Sequence, residues 1–578
     1  MQECAAASAS VTSGAPSLWL GGLLASARET AADRLAVKDP PDRAEITDGA
    51  VQSLTWAEVG ERVDRLSLAL LDAGLTKGDV VMSPAPSVHE TLIIQLAVSR
   101  IGAVCASFPV QYREHELGLL VRAVTPRAII SFARLRNFAH MAMMRNVVAA
   151  WGQPAAFLGY GPNDADDVVD LDRIAQKAFD PADRERLRVF DETLNIAPDD
   201  DAFIIFTSGS ATSPKAVMRS HRNIIGVRDF MAELGGIDDG IRILSPRLLN
   251  TTGAIATGLV PWLGGRGTIF LHHPFSLDIF LEQIRAERPH STSCPPAILY
   301  MMLERADRDP TLDFSGLRHI SSGSANLDPS VMKAFHDRFG IEVTNSYGSS
   351  EGAMLVSSKH DIADLDDRAR YFPAFGYGTY RSNLGFCKGV KTRLVSVETG
   401  EDVTTIGTPT ELYVGGSTLF SRYVNDPERT VKAFDAQGFY RTGDLFELVT
   451  LDPPMLRFLG RRSNMIVRGG LNISAEEIEG LLAAHPKIRH VAVVGRPDAK
   501  LGEIVAAVVV CQPDTSITLP ELAGYLKEEC KVAIFKLPQH LEILTELPRL
   551  ASGKPDIAAI RTAVAQQSQS AAGQTNNA

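Results

Sequence analysis

Helix-like stretches alternate along this chain with short β-rich apolar runs, and that alternation constrains the fold more than any other feature. Thr55 to Ala73 and Glu90 to Ile101 read as helices, whereas Val80-Val81-Met82 and Ala128-Ile129-Ile130 read as short strands. This is the βαβ rhythm of parallel sheets covered by helices, and it assigns the chain to the α/β class. With 578 residues, 45% of them hydrophobic, the chain exceeds one ordinary domain and has ample core for a large unit plus a smaller one. The break is placed near Gly460, where the strand-like Leu456-Arg457-Phe458-Leu459 gives way to Arg461-Arg462-Ser463-Asn464. That predicts a large unit over 17–460 and a small one over 461–565. Residues 1–16, rich in Ala, Ser and Gly, and 566–578, rich in Gln, Ala, Ser and Asn, have compositions that bury no core and are expected to be disordered tails.

A net charge of −11 with no basic run argues against nucleic acid as the main partner. Six cysteines lie far apart without a C-x-x-C pair, which fits a reducing cytoplasm and gives no structural zinc site. The apolar patch Leu18 to Leu24 has no basic residue before it and is too short to span a bilayer. No membrane partner is expected, and the oligomeric state is not readable.

Chemistry enters at Phe206-Thr207-Ser208-Gly209-Ser210-Ala211-Thr212-Ser213-Pro214-Lys215-Ala216-Val217. Hydroxyls, glycine and a lysine between the apolar strand Ala202–Phe206 and an expected helix can wrap triphosphate oxygens with backbone N–H groups and one cation. Alone, such a run is more often an ordinary connection. It is followed in order by Asn345-Ser346-Tyr347-Gly348-Ser349-Ser350-Glu351-Gly352, by Tyr440-Arg441-Thr442-Gly443-Asp444-Leu445, by Gly460 to Ser474 with Gly469-Gly470-Leu471 inside it, and by Leu547 to Lys554.

These five signatures together resemble the adenylate-forming superfamily, which includes acyl-CoA synthetases, peptide-synthetase adenylation domains and luciferases; the likeness covers roughly Trp56 to Asp556. The resemblance implies a large multi-lobed N-terminal domain with acyl and nucleotide pockets and a small, mobile α+β lid. It implies nucleotide contacts from Thr207, Ser208, Ser210, Lys215, Ser324, Ala325, Asn345, Ser346, Tyr347, Gly348, Ser350, Asp444 and Arg461. Among these, Tyr347 would stack on adenine and Asp444 would grip the ribose hydroxyls. Glu351 would hold Mg²⁺ and Lys554 would be the mobile catalytic lysine. Gly469, Gly470 and Leu471 would border the CoA channel, Ser463 would mark the hinge, and Asn250, Gly253 and Gly323 would line the acyl pocket.

The chain departs from the family pattern at several of these places. Ala211, Thr212 and Ala216 replace a threonine and two glycines of the phosphate loop, and a Cβ at positive φ would cost about 1–2 kcal/mol per residue. Ser463 and Asn464 stand where a charged hinge residue is usual. Leu249 and Asn250 stand where an aromatic and a His usually flank the acyl carbonyl. The expected function is therefore an acyl-CoA ligase whose adenylation half-reaction is weakened or lost, taking CoA and an acyl-AMP delivered by a separate adenylating enzyme. An ordinary two-step ligase using ATP and Mg²⁺, an enzyme loading a carrier protein, and a non-catalytic nucleotide-binding protein are the alternatives. Small residues such as Gly253, Ala254, Ala256, Gly258 and Gly323 leave room for a bulky hydrophobic or aryl acid, although tight helix-on-sheet packing explains them equally well.

Overall fold

The computed structural model describes residues 19–163, 165–207, 215–228, 232, 234, 238–323, 327–380, 382, 384–385, 389–468, 471–498, 501–530, 532, 534–550 and 554–574. For 463, 467, 471, 472 and 566–574 it describes the backbone alone.

Two eight-stranded sheets form the bulk of the large unit. In the first, Leu35–Lys38, Thr268–Leu271, Arg242–Ser245, Ser291–Cys294, His319–Gly323 and Glu342–Gly348 run parallel, and Ser53–Thr55 and Met354–Ser357 close its two edges antiparallel. In the second, Val168–Asp170, Ala156–Tyr160, Ala128–Phe132, Val80–Pro84, Val104–Phe108 and Asp201–Thr207 run parallel before Lys215–Ser220 and Arg422–Tyr423 add antiparallel strands. Every residue of Val104–Phe108, Ala128–Phe132 and His319–Gly323 is buried, the pattern of strands covered on both faces.

The covering helices carry the expected local signals. Trp56–Asp72 starts with a capping box in which Thr55 accepts from the Glu58 N–H and the Glu58 side chain accepts from the Thr55 N–H, an arrangement worth about 1 kcal/mol. The rings of Trp56 and Trp262 stack with centroids 4.6 Å apart. This joins that helix to the region following Arg242–Ser245. Observed helices Trp56–Asp72 and His89–Arg100 match the predicted ones to within a residue or two.

A five-stranded antiparallel sheet holds Tyr371–Pro373, Pro454–Arg461, Tyr440–Leu451, Thr410–Gly415 and Lys391–Val395. A further five-stranded sheet, of Met465–Arg468, Leu471–Ser474, Ile488–Asp498, Gly502–Cys511 and His540–Ile543, is antiparallel except where His540–Ile543 joins Gly502–Cys511 in parallel, and it carries the helix Ala475–Ala483 and its own apolar core. Among the described residues no helix is long and apolar enough to cross a membrane, and Cys105, Cys294, Cys511 and Cys530 are free thiols.

Three local expectations are overturned. Asp201–Thr207 leads into a second strand, Lys215–Ser220, paired antiparallel with it, so the expected helix after the phosphate loop is replaced by a hairpin arm. Ala216 lies within that arm opposite Phe206, 4% exposed and outside the set of positive-φ residues. Its methyl fills core, and the strain attributed to it vanishes. The tail from 566 onward is helical as far as Gln574 within Ile557–Gln574, because alanine and glutamine are good helix formers once a preceding turn nucleates them.

Candidate active site

The parallel strands His319–Gly323 and Glu342–Gly348 end side by side, at the edge where open α/β sheets hold ligands. Gly323 closes its strand opposite Ser346, and an added Cβ there would run into the Ser346 carbonyl. Close sheet packing demands that glycine, so pocket room is not its purpose. Tyr347 follows Ser346 in Glu342–Gly348. Its ring packs edge-on against Phe446, 5.1 Å between centroids, and obliquely against Phe458 at 6.0 Å.

The Tyr347 hydroxyl donates to Asp444 Oδ2 at 2.6 Å, linking the first sheet to the antiparallel one that carries Tyr440–Leu451. Asp444 is 2% exposed. Its Oδ1 lies 3.0 Å from Arg461 Nε but has no aligned hydrogen-bond donor. Burial raises the Asp444 pKa, while Arg461 and the Tyr347 hydroxyl pull it back. A buried acceptor held in place and still short of a donor suits a ribose hydroxyl. Burial likewise pushes the Tyr347 phenol well above its ordinary range, with Asp444 adding to the effect, so Tyr347 remains a donor.

Glu351, 6% exposed, is held by its surroundings. The Tyr423 hydroxyl donates to its Oε1 at 2.8 Å, and Lys215 Nζ stands 3.9 Å away. Beneath it Arg219, 2% exposed, donates to three carbonyl oxygens: Ser350 at 2.9 Å, Asn223 at 3.0 Å and Thr418 at 2.8 Å. Burial pushes the Arg219 pKa down to about 10. Gly352 turns at φ +94°, where a Cβ would strike the Thr418 carbonyl, so glycine is required beside this clamp. A buried carboxylate that retains lone pairs beyond one tyrosine bond fits one ligand position of Mg²⁺, whose remaining ligands are usually phosphate oxygens and water. Asp39, His89 and Glu90 also gather three ligand-type atoms within 4.8 Å. There Arg43 already pairs with Asp39 at 2.8 Å and Glu90 at 2.5 Å, and the guanidinium fills the place of a cation.

Lys554 is within electrostatic reach of Asp444 and Arg461. Burial lowers its pKa, Arg461 and Arg247 lower it further, and Asp444 opposes them. The linker holds this pose: Asn464 Nδ2 donates to Glu476 Oε1 at 3.0 Å, the Arg461 N–H donates to the same oxygen at 3.3 Å, and Ser474 Oγ donates to the Leu459 carbonyl. Ser463 lies in the short 3-10 turn Arg462–Asn464.

The structure thus brings together Lys215, Ser346, Tyr347, Glu351, Asp444, Arg461 and Lys554. Thr207 and Lys215 end the two hairpin arms. Asn345, buried, donates to the Ala369 carbonyl and braces its strand; Gly348 is the last residue of that strand and Ser350 presents its carbonyl to Arg219. Asn250 is buried with an unpartnered Oδ1, and Gly253 is the second residue of the short helix Thr252–Ala254. Leu471 opens the strand that pairs with Met465–Arg468. Ser208, Ser210, Ala211, Thr212, Ser324, Ala325, Gly469 and Gly470 lie outside the described residues. Tyr423, Arg219 and Arg247 were missed by sequence reasoning. Their one signal was a polar residue set in an apolar run, as in Val217-Met218-Arg219.

The family model for the AMP-binding enzyme matches residues 31–424. This chain belongs to the AMP-binding enzyme family. The model of the family's C-terminal domain matches residues 477–554. Among curated relatives, a medium-chain fatty-acid–CoA ligase of Escherichia coli (strain K12) is 28% identical over 524 residues, covering 89% of this chain and 86% of the relative. A salicylyl-CoA synthase / salicylate adenylyltransferase of Streptomyces sp is 28% identical over 550 residues, covering 94% and 93%. The crystal structure of ATP-bound MatB from Rhodopseudomonas palustris matches with a TM-score of 0.75 at 24% identity, covering 94% of this chain and 98% of that one. The last likeness concerns the fold.

Proposed function

We propose that this AMP-binding enzyme is an acid–thiol ligase that joins a carboxylic acid to CoA through an acyl-adenylate, with both half-reactions intact. The observation that carries this reading is the array of Tyr347, Asp444 and Arg461, joined at 2.6 and 3.0 Å, with Lys554 within its electrostatic reach. In this reading Asp444 accepts from the ribose hydroxyls, the Tyr347 ring borders the adenine, and Lys215 faces the phosphates. Glu351 would hold Mg²⁺, which would offset phosphate charge. Lys554 stabilises charge where the carboxylate oxygen meets the α-phosphorus.

The strand position of Ala216 removes one of the reasons for expecting weak adenylation, so ATP is taken as the direct co-substrate without a separate adenylating enzyme. CoA, in preference to a carrier protein, is the proposed acceptor, because the curated relatives cited are named for CoA thioesters. A monocarboxylic acid with a hydrophobic or aryl body is the proposed substrate class. The lid is proposed to turn about Arg462–Asn464, with Lys554 serving adenylation in the observed pose and the strand pair around Gly469-Gly470 serving thioester formation in another.

The test is ATP–pyrophosphate exchange driven by hexanoate, benzoate and salicylate, run beside thioester formation from CoA and the corresponding acyl-AMPs. Exchange and thioester formation with the same acid support the reading. Thioester formation from supplied acyl-AMP without exchange would replace it with the one-step ligase that Ala211 and Thr212 suggest, and absence of both sinks it.

A further inference from the structure

Sequence reasoning placed Leu249 and Asn250 where an aromatic and a His usually flank the acyl carbonyl. Leu249 is 2% exposed and belongs to the main apolar core, so it offers nothing to a carboxylate. Arg247, two residues earlier, does. It follows the strand Arg242–Ser245 directly, and its Nε donates to Ser293 Oγ at 2.7 Å, on the neighbouring strand Ser291–Cys294. That bond fixes the side chain at the strand ends while leaving both terminal nitrogens without a carboxylate among the described residues. An ideal Cβ on Gly253 would lie 3.4 Å from Arg247 Nη1, so bare backbone keeps the flank of the guanidinium open.

The second cation is Lys554. Among the described residues it has no carboxylate within ion-pair distance, and Arg247 acts on it directly, second to Arg461 among the neighbouring charges. Partial desolvation and the neighbouring cations lower the pKa of Lys554, which keeps an exposed face, and burial lowers that of the half-buried Arg247. Two like charges acting on one another raise the energy of the folded chain, and an anion bound between them relieves it. The substrates of the proposed reaction supply such an anion at that place, the carboxylate to be activated.

We propose that Arg247 is a catalytic residue of both half-reactions, holding the substrate carboxylate beside Lys554 during adenylation and the acyl carbonyl oxygen during thioester formation. This rests on the ligase reading above. In the first step a carboxylate oxygen bonds to the α-phosphorus and the bond from that phosphorus to pyrophosphate breaks. In the second, the sulfur of the deprotonated thiol bonds to the acyl carbon, and the carbonyl electron pair moves onto oxygen. That oxyanion then collapses with cleavage of the bond to AMP, the thiol proton having gone to solvent. Arg247 belongs to the large unit, so it stays with the acyl group when the lid carries Lys554 away. Two terminal N–H groups pinned by Ser293 can meet a carboxylate and then an oxyanion with little rearrangement.

The two cations therefore separate by experiment. With the acid that drives exchange fastest among hexanoate, benzoate and salicylate, Lys554→Ala should abolish exchange and leave thioester formation from the supplied acyl-AMP within about threefold. Arg247→Met should lower both by about 10²–10³-fold, the usual loss for one oxyanion donor, and Arg247→Lys should restore part of each. AMP binding by calorimetry, retained in the two Arg247 variants, verifies that the nucleotide cleft is intact. Arg247→Met with normal thioester formation from acyl-AMP overturns the proposal, as does loss of AMP binding in both Arg247 variants, which would make the residue structural. A wild-type chain with neither activity sinks the ligase reading itself.

Discussion

Replacing Asp444 by Asn should move stability and ligand affinity in opposite directions. The carboxylate is 2% exposed and its pKa is raised, with burial the leading cause. A carboxyl whose folded pKa exceeds its unfolded value binds a proton more tightly when folded. The folded state is therefore penalised as pH rises between those two values, and carries the full penalty once pH exceeds the folded one. Asn has the same shape and no charge, and its carbonyl can still accept from Tyr347. Arg461 loses its partner, but that side chain is 60% exposed and an exposed pair contributes little. The variant should thus unfold at the same temperature as the wild type or somewhat higher.

Affinity should fall. Two charge-assisted bonds to the ribose become neutral ones, a loss of about 1–1.5 kcal/mol each, or about 30- to 150-fold in the dissociation constant of AMP. Isothermal titration with AMP at pH 7.5, beside thermal unfolding of both proteins, measures the two quantities. A variant that binds AMP within about threefold of the wild type, or that unfolds several degrees earlier, would refute the reasoning by making Asp444 a structural residue.

Glu351→Gln should raise the Mg²⁺ concentration needed for half-maximal pyrophosphate exchange, and Tyr423→Phe should do so more mildly, by about tenfold, because one hydroxyl bond to a carboxylate is worth about 1.5 kcal/mol; Mg²⁺ titrations of the two variants check the order. Ala216→Gly should leave ATP affinity unchanged and lower stability by about 0.5–1 kcal/mol, the cost of glycine in a strand, whereas a large gain in ATP affinity would mean that the methyl had obstructed a phosphate after all. Adenylation needs a charged Lys554, so its rate should fall on an alkaline limb starting below the ordinary lysine value of 10.5, and Lys554→Arg should move that limb upward. The stability contribution of Lys554 runs the other way, since a lowered folded pKa gains stability as pH rises through it.

The fold class was legible because parallel strands buried on both faces leave a mark in the sequence, as Ala128–Phe132 and Val104–Phe108 illustrate. Helix bounds were legible where capping chemistry stood beside them, at Thr55 above all. The direction of the chain after Thr207 was not. A serine- and glycine-rich turn precedes a strand as readily as a helix, and antiparallel pairing of Lys215–Ser220 is decided by long-range contacts with Asp201–Thr207 and Arg422–Tyr423. At the candidate site, the residues that the short signatures single out, including Tyr347, Glu351, Asp444 and Lys554, are ones that the fold brings near one another. Their supports escaped notice because Arg219, Arg247 and Tyr423 act across separations of up to 199 residues, as in the Arg219–Thr418 bond. No spacing rule reaches that far. Gly323 taught a narrower lesson: a small residue at a strand end records how near the next backbone runs, and says nothing about ligand size.

Arg219 works as a rivet. One guanidinium, seated on an arm of the second sheet, fastens the turn after Glu342–Gly348 to the loop before Arg422–Tyr423. Sliding of one sheet past the other would tear the bond to Ser350, while the bonds to Asn223 and Thr418 keep the guanidinium anchored to the second sheet, so the two walls of the candidate cleft keep their spacing. In the proposed ligase, acyl selectivity would then be free to drift by substitution around Asn250 and Gly253 without retuning the grip on the purine ribotide, since the gauge between the walls is set elsewhere.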